Sequence, residues 1–172
     1  APAISTSSSL TTNEDTATDA IAFSGADVDG DSLTFSFSDP AKGSVVDNGN
    51  STYTYTPDAN ANGTDSFTIT VNDQTVTITE TINVAIAALN DAPTIITSTS
   101  LTTDEDTETA AIAYSGSDVD GDTLTFSFSD PAKGSVVDNG DGTFTYTPDA
   151  NTNGSDSFTI TVNDQTVTIT ET

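Results

Sequence analysis

The chain contains no cysteine, no histidine and no tryptophan, and two basic residues, Lys42 and Lys133, stand against 27 acidic ones. Without cysteine there is no disulfide framework, so a small β domain of this composition needs another staple. Without histidine or cysteine the usual general bases, nucleophiles and redox ligands are missing, and the chain is expected not to be an enzyme. Paired carboxylates can cut glycosides, yet those present here gather in loops rather than along an apolar cleft. No hydrophobic run approaches the length of a membrane span and no signal peptide is visible, so no membrane insertion is expected. The start at Ala1-Pro2 reads as a fragment boundary, which places targeting signals outside this sequence.

The formal net charge of -25 repels nucleic acid and anionic membrane alike, and neither is expected as a partner. The same charge destabilises any compact state unless cations neutralise it. Acidic chains poor in aromatics are often disordered. Here the apolar residues are too regularly placed for that.

Self-comparison is the most informative step. Leu10 through Thr81 matches Leu101 through Thr172 at a constant offset of 91, with 11 differences in 72 positions. One repeat is therefore read as residues 1–91 and the next as 92–172. The second copy stops at the equivalent of Thr81, with no counterpart to Ile82–Asp91, and is expected to lack its final strand. Trimming inside a repeat is the simpler reading. Completion by another chain in a filament is the alternative.

Within a repeat the apolar period is two. Leu33, Phe35 and Phe37 alternate with Ser and Thr, as do Tyr53 and Tyr55, then Phe67, Ile69 and Val71, then Ile82, Val84 and Ile86. Alternation bounded by Gly, Asn, Asp and Pro predicts half-buried strands. Turn signals fall at Asp29-Gly30, Asn48-Gly49 and Asn62-Gly63. About seven short strands in roughly 90 residues predict an all-β chain of two tandem immunoglobulin-like Greek-key β-sandwiches.

The acidic residues collect at Glu14-Asp15, at Asp27-Val28-Asp29-Gly30-Asp31, around Asp58, at Asn72-Asp73 and in the linker Asn90-Asp91. Each group flanks a predicted strand. Calcium takes about six to eight oxygen ligands from carboxylates, amides and carbonyls, which such loops supply. DVDGD is no EF-hand loop, because Gly30 comes too early and no Glu closes a twelve-residue loop. Asp39, Asp47 and Asp65 are read as turn or solvated-face residues, and both lysines as solvent-exposed.

The whole chain resembles the bacterial cadherin-like repeats of RTX-type adhesins and other large surface proteins. The resemblance rests on NEDT at Asn13–Thr16, SGADVDGDSLTFSFS at Ser24–Ser38, YTPDANANGTDSFTITVND at Tyr55–Asp73 and LNDAP at Leu89–Pro93, with matching segments in the second copy. It implies calcium at the domain junction. Carried over by position, the ligands are Glu14, Asp15 and Asp58 from the first repeat, Asn90 and Asp91 from the linker, and Asp118, Asp120 and Asp164 from the second. Asn60 stands where the family has a carboxylate, which implies fewer ions than a cadherin junction holds. Asp27, Asp29 and Asp73, and at the other end Glu105, Asp106 and Asp149, are expected to bind weakly because each set lacks the adjoining linker. The implied function is a calcium-stiffened extender of an extracellular or bacterial cell-surface adhesin, its partners being neighbouring repeats and further copies through self-association. The competing reading is calcium-dependent recognition of carbohydrate or of a like module. Against it, the chain offers no Trp, neither as a sugar platform nor as the anchor of a vertebrate-style strand swap.

Overall fold

A computed structural model describes residues 1–172, and these divide into two units, Ala1–Leu89 and Asn90–Thr172. No helix forms. The first unit holds nine strands: β1 (Pro2–Ser5), β2 (Ser9–Asn13), β3 (Ile21–Ala22), β4 (Ser24–Asp27), β5 (Thr34–Phe37), β6 (Gly43–Asp47), β7 (Thr52–Pro57), β8 (Gly63–Asn72) and β9 (Thr77–Ala87). The second holds seven: β10 (Thr94–Thr97), β11 (Ile112–Ser117), β12 (Thr125–Phe128), β13 (Gly134–Asp138), β14 (Thr143–Pro148), β15 (Ile160–Asn163) and β16 (Thr168–Glu171).

In the first unit one layer runs β2-β9-β8-β5, and the other comprises β3-β7-β6 and the pair β1-β4. β2 lies parallel to β9, with Leu10 opposite Val84, while β8 and β9 pair antiparallel from Gly63↔Ile86 to Asn72↔Thr77. In the second unit the layers are β10-β11-β14-β13 and β12-β15-β16.

The alternation explains the layers, because a strand turns successive side chains to opposite faces. Tyr53 and Tyr55 of β7, Phe67, Ile69 and Val71 of β8, and Ile82, Val84 and Ile86 of β9 are buried, while the residues between them are more exposed. The rings pack edge-on and tilted: Tyr53 meets Phe67 at 5.6 Å between centroids, Phe23 meets Phe37 at 5.5 Å, and Tyr55 stacks on Phe67 at 6.1 Å. Such geometry suits the ring quadrupoles.

The copies exchange one hydroxyl. Phe23 and Tyr53 become Tyr114 and Phe144, and the Tyr114 hydroxyl donates to Asp138 at 2.9 Å. Tyr114 is half-buried, and Asp138 gives its hydroxyl an acceptor in the second copy.

Asp65 departs from expectation. It lies not in a turn but in β8, where its carboxylate accepts the Tyr55 hydroxyl at 2.7 Å and the amides of Ala41, Lys42 and Ser66. Asp156 repeats this set with Tyr146, Ala132, Lys133 and Ser157. Desolvation pushes the Asp65 carboxyl up, but the Tyr55 hydroxyl and the three amides outweigh it and hold it below the usual range. Local composition hides this role, because the donors come from 24 residues away and less.

In the second unit β16 matches the first part of β9, Thr77–Glu80. β16 pairs with β15 from Asn163↔Thr168 to Ile160↔Glu171. The part of β9 that has no equivalent, Ile82–Ala87, is the part that pairs with β2 and with the first half of β8. Accordingly residues 100–104 and 154–159 form no strand, although the matching residues of the first copy do.

Candidate metal centre

The loop after β4 closes on Asp27. Its Oδ1 accepts the amides of Asp29 at 2.8 Å and Asp31 at 3.4 Å, and Gly30 takes a φ of 79° that a residue with a Cβ rarely adopts. The second copy repeats the turn: Asp118 Oδ1 accepts from Asp120 at 2.9 Å and Asp122 at 3.2 Å, with Gly121 at φ 78°. Carboxylate oxygens of Asp27, Asp29 and Asp31 lie within 4.8 Å of one another, as do those of Asp118, Asp120 and Asp122. Oxygens sharing a calcium ion at about 2.3–2.6 Å lie no further apart than about 5 Å.

The inner oxygens of both loops, Asp27 Oδ2 and Asp118 Oδ2, are buried. In the first, the Ala1 ammonium lies 3.2 Å from Asp27 Oδ2 and 3.8 Å from Asp29 Oδ2. The Asp27 carboxylate in turn raises the Ala1 amine. Burial pushes the Asp27 carboxyl up, but the Asp29 amide, the ammonium and the Asp31 amide together hold it below the usual range. In the second loop, Asp118 Oδ2 is buried and meets no hydrogen-bond donor. A buried carboxylate oxygen without a donor costs free energy. A hard cation taking oxygen ligands is the chemistry that relieves it, so the residues present fit calcium.

Further groups complete the second-unit cluster. Asp164, 1% exposed, accepts the amides of Thr166 and Val167 on Oδ1 and the Asn90 side-chain amide on Oδ2 at 2.9 Å. The Asn90 hydrogen bond, with those amides, holds the Asp164 carboxyl below the usual range. The Asp91 amide donates to Asp120 Oδ2 at 2.7 Å. Asn90, Asp91, Asp118, Asp120 and Asp164 are thus brought together within one unit. Asp122 joins them, and Asp31 joins Asp27 and Asp29; neither was among the expected ligands, although the third carboxylate of DVDGD marks both. In the first unit Asp73, 5% exposed, accepts the amides of Thr75 and Val76 as Asp164 does those of its own turn.

Within the first unit, Glu14, Asp15 and Asp58 lie at the opposite end from the Asp27–Asp31 loop and Asp73. β8 runs ten residues from the turn holding Asp58 to the turn holding Asp73, a span of about 30 Å. β5 pairs with β8 at Thr34↔Asn72, which keeps the Asp27–Asp31 loop beside Asp73 and away from Asp58. Glu14 is 1% exposed; its Oε1 accepts the Leu89 amide and its Oε2 the Asn62 side chain at 3.2 Å. Its own amide donates to Ala87. Glu14 therefore fastens the end of β9, a task that the sequence pattern does not reveal. Asp15, at φ 57°, accepts the Asn60 amide at 3.0 Å, and Asp58 is exposed after β7. In the second unit Asp106 accepts the Asn151 amide at 2.8 Å, and Asp149 is exposed. Glu105 is exposed.

The lowered carboxyls set an acid limit. A carboxyl held low in the fold stabilises at pH above its unfolded value, about 3.9 for Asp, and that stability is lost as pH falls through the folded value. Repulsion among 27 acidic groups has the opposite dependence and eases as pH falls from 7. In chelator, melting followed by circular dichroism is therefore expected to rise from pH 7 toward about pH 5 and to fall below about pH 3.9. A melting temperature still climbing at about pH 2.5 contradicts the assignment of Asp27, Asp65, Asp156 and Asp164.

Comparison with known proteins places these features in context. The family described as Bacterial Ig domain matches residues 1–85 and again 90–172. No curated protein matches the chain. Among solved structures, form II of human protocadherin-24 EC1-2 is 12% identical with a TM-score of 0.52, over 97% of this chain and 92% of that one. The endo-fucoidan hydrolase MfFcnA4 of glycoside hydrolase family 107 is 19% identical with a TM-score of 0.45, and this chain spans 27% of its length. The titin Ig tandem A164-A165 is 10% identical with a TM-score of 0.33, over 98% of this chain and 92% of that one. At these identities the protocadherin likeness speaks to fold alone.

Proposed function

This chain belongs to the bacterial Ig domain family, as two tandem copies, and from that premise we propose that it is a non-catalytic, calcium-stiffened extender of a large bacterial surface or secreted adhesin. The observation that carries the calcium reading is the buried, donorless Asp118 Oδ2 among the oxygens of Asp120 and Asp122.

Asp118 and Asp120 are the leading ligands, with Asp122 and Asp164 beside them and the linker pair Asn90 and Asp91 supplying amide and carboxylate oxygen. Asp27, Asp29, Asp31 and Asp73 form the equivalent set of the first unit. Calcium, when bound, supplies the positive charge that a cluster of this kind lacks. The protein's part is preorganisation. Amides of Asp120 and Asp122 hold Asp118 Oδ1, those of Thr166 and Val167 hold Asp164 Oδ1, and the second oxygen of Asp118 is left free of donors. Glu14, Asp15 and Asp58 remain the ligands expected from the first unit. Of these, Glu14 already accepts one hydrogen bond on each oxygen.

Because Asn90 and Asp91 are both linker and ligand, metal binding would restrict the hinge of the array. Extracellular calcium modules bind with Kd of about 10⁻⁴–10⁻³ M, within reach of the calcium outside cells. No helix is long and apolar enough to cross a membrane.

Small-angle scattering tests the reading. The maximum dimension is expected to increase and the profile to become that of a single stiff particle when calcium replaces chelator. An unchanged maximum dimension and unchanged flexibility would remove the stiffening role.

A further inference from the structure

Four of the differences between the copies fall together: Phe23, Asn50, Ser51 and Tyr53 are replaced by Tyr114, Asp141, Gly142 and Phe144. The fold joins them at one corner. There the Phe23 amide donates to the Ser51 carbonyl at 3.0 Å, and the Phe23 and Tyr53 rings lie 6.1 Å apart. At this corner the first unit has a shallow cleft of about 390 Å³ whose walls include Phe23, Gly25, Phe35, Asp47, Gly49 and Ser51.

The cleft combines aromatic rings with a carboxylate. Phe23 and Phe35 meet edge-on at 5.0 Å between centroids. A Cβ on Gly25 would stand 2.7 Å from Phe35 Cζ, so glycine is what lets that ring reach the wall. Asp47 is exposed and accepts one hydrogen bond, from the Gly49 amide at 2.9 Å. The second copy fills the same place from within. Asp138 Oδ1, which accepts the Gly140 amide at 2.9 Å, also accepts the Tyr114 hydroxyl at 2.9 Å. Phe23 has no hydroxyl, so Asp47 lacks that second donor. Lys42, the one lysine of the first unit, precedes β6 whereas Asp47 ends it, and its amine donates to the Asn62 carbonyl at 2.8 Å.

We propose that this cleft binds a primary alkylammonium group, with the ammonium on Asp47 and the alkyl chain against Phe23 and Phe35. The ammonium supplies the missing donor together with the charge opposite to the carboxylate. Ring faces attract the same cation, and the methylenes gain by leaving water. The second unit does not bind, because Tyr114 already serves Asp138. No residue of the Asp27–Asp31 loop lines the cleft, so the site stands or falls independently of calcium.

The test titrates butylamine, and separately Nα-acetyl-lysine N-methylamide, into the isotope-labelled whole chain. At about 0.15 M salt, attraction from distant acidic loops is screened beyond about 8 Å. Saturable shifts of the Gly25, Gly49 and Ser51 amides are expected, with Gly116, Gly140 and Gly142 unmoved. Response to both probes assigns the site to lysine side chains as well as free amines, and response to butylamine alone restricts it to free amines. Phe23→Tyr keeps every charge and installs the ring that the second copy carries, and it is expected to weaken binding by about tenfold or more. Asp47→Asn keeps an oxygen for the Gly49 amide and is expected to lose a similar factor, as is butanol in place of butylamine. Shifts that never saturate, equal binding by a folded Phe23→Tyr chain, equal binding of butanol, or matching shifts in the second unit would each overturn the proposal.

Discussion

Phe67→Ala is expected to cost the first unit about 3–5 kcal/mol, whereas the matching Phe158→Ala costs the second unit less than about 2 kcal/mol. The side chains are equivalent in sequence, but their surroundings differ. Phe67 is 2% exposed, packs edge-on against Tyr53 and stacks on Tyr55, and lies opposite Ile82 in the pairing of β8 with β9. Its removal leaves a void closed on every side, and a closed void adds a cavity term to the lost transfer free energy. Phe158 has the same ring partners in Phe144 and Tyr146. It is half-buried on the wall of the open groove, where water fills the space it leaves. For domains of this size 1 kcal/mol shifts the melting temperature by about 4–8 °C, so calorimetry would show the first unit losing most or all of its transition. Equal losses for the two variants would contradict the difference in burial.

Calcium removal is expected to have the next largest effect. With about 10 mM calcium against a Kd of about 10⁻⁴ M, one ion stabilises the folded unit by about 2.7 kcal/mol. That corresponds to roughly 10–20 °C in melting temperature for the unit that binds it. Asp118→Asn separates this effect from general charge screening. The amide keeps an oxygen that can accept from Asp120 and Asp122, but it removes the buried, donorless carboxylate oxygen. In chelator the variant is expected to be as stable as the parent or more so, because an uncompensated buried charge is gone. In calcium it is expected to be the less stable of the two. Scanning calorimetry in both conditions reads this crossing directly; parallel curves would place the calcium response elsewhere.

Much of the candidate site was legible because its ligand types are local. The Asp27–Asp31 and Asp118–Asp122 loops carry three carboxylates around a glycine, and their convergence follows from a turn whose hydrogen bonds span two to four residues. Glu14 and Asp65 were harder. Each lies in an acidic or polar stretch that looks like its neighbours, and its partners are decided by strands that approach from elsewhere in the chain. Glu14 is held by Leu89, 75 residues on, and no local pattern carries that information.

Alternation of apolar and polar residues by itself determined that the chain is all-β, which residues face each core, and that the pattern occurs twice. That follows from a strand's period of two, which is a property of the chain alone. Tertiary structure decided how nearly identical repeats come to differ. Ile82–Ala87 closes the first core, pairs with β2 and with the first half of β8, and the Leu89 amide, just beyond it, donates to Glu14. In the second copy Leu101, Tyr146 and Phe158 are half-covered and Glu105 is exposed. The reason is that a strand's hydrogen bonds and one of its faces are satisfied only by a neighbour.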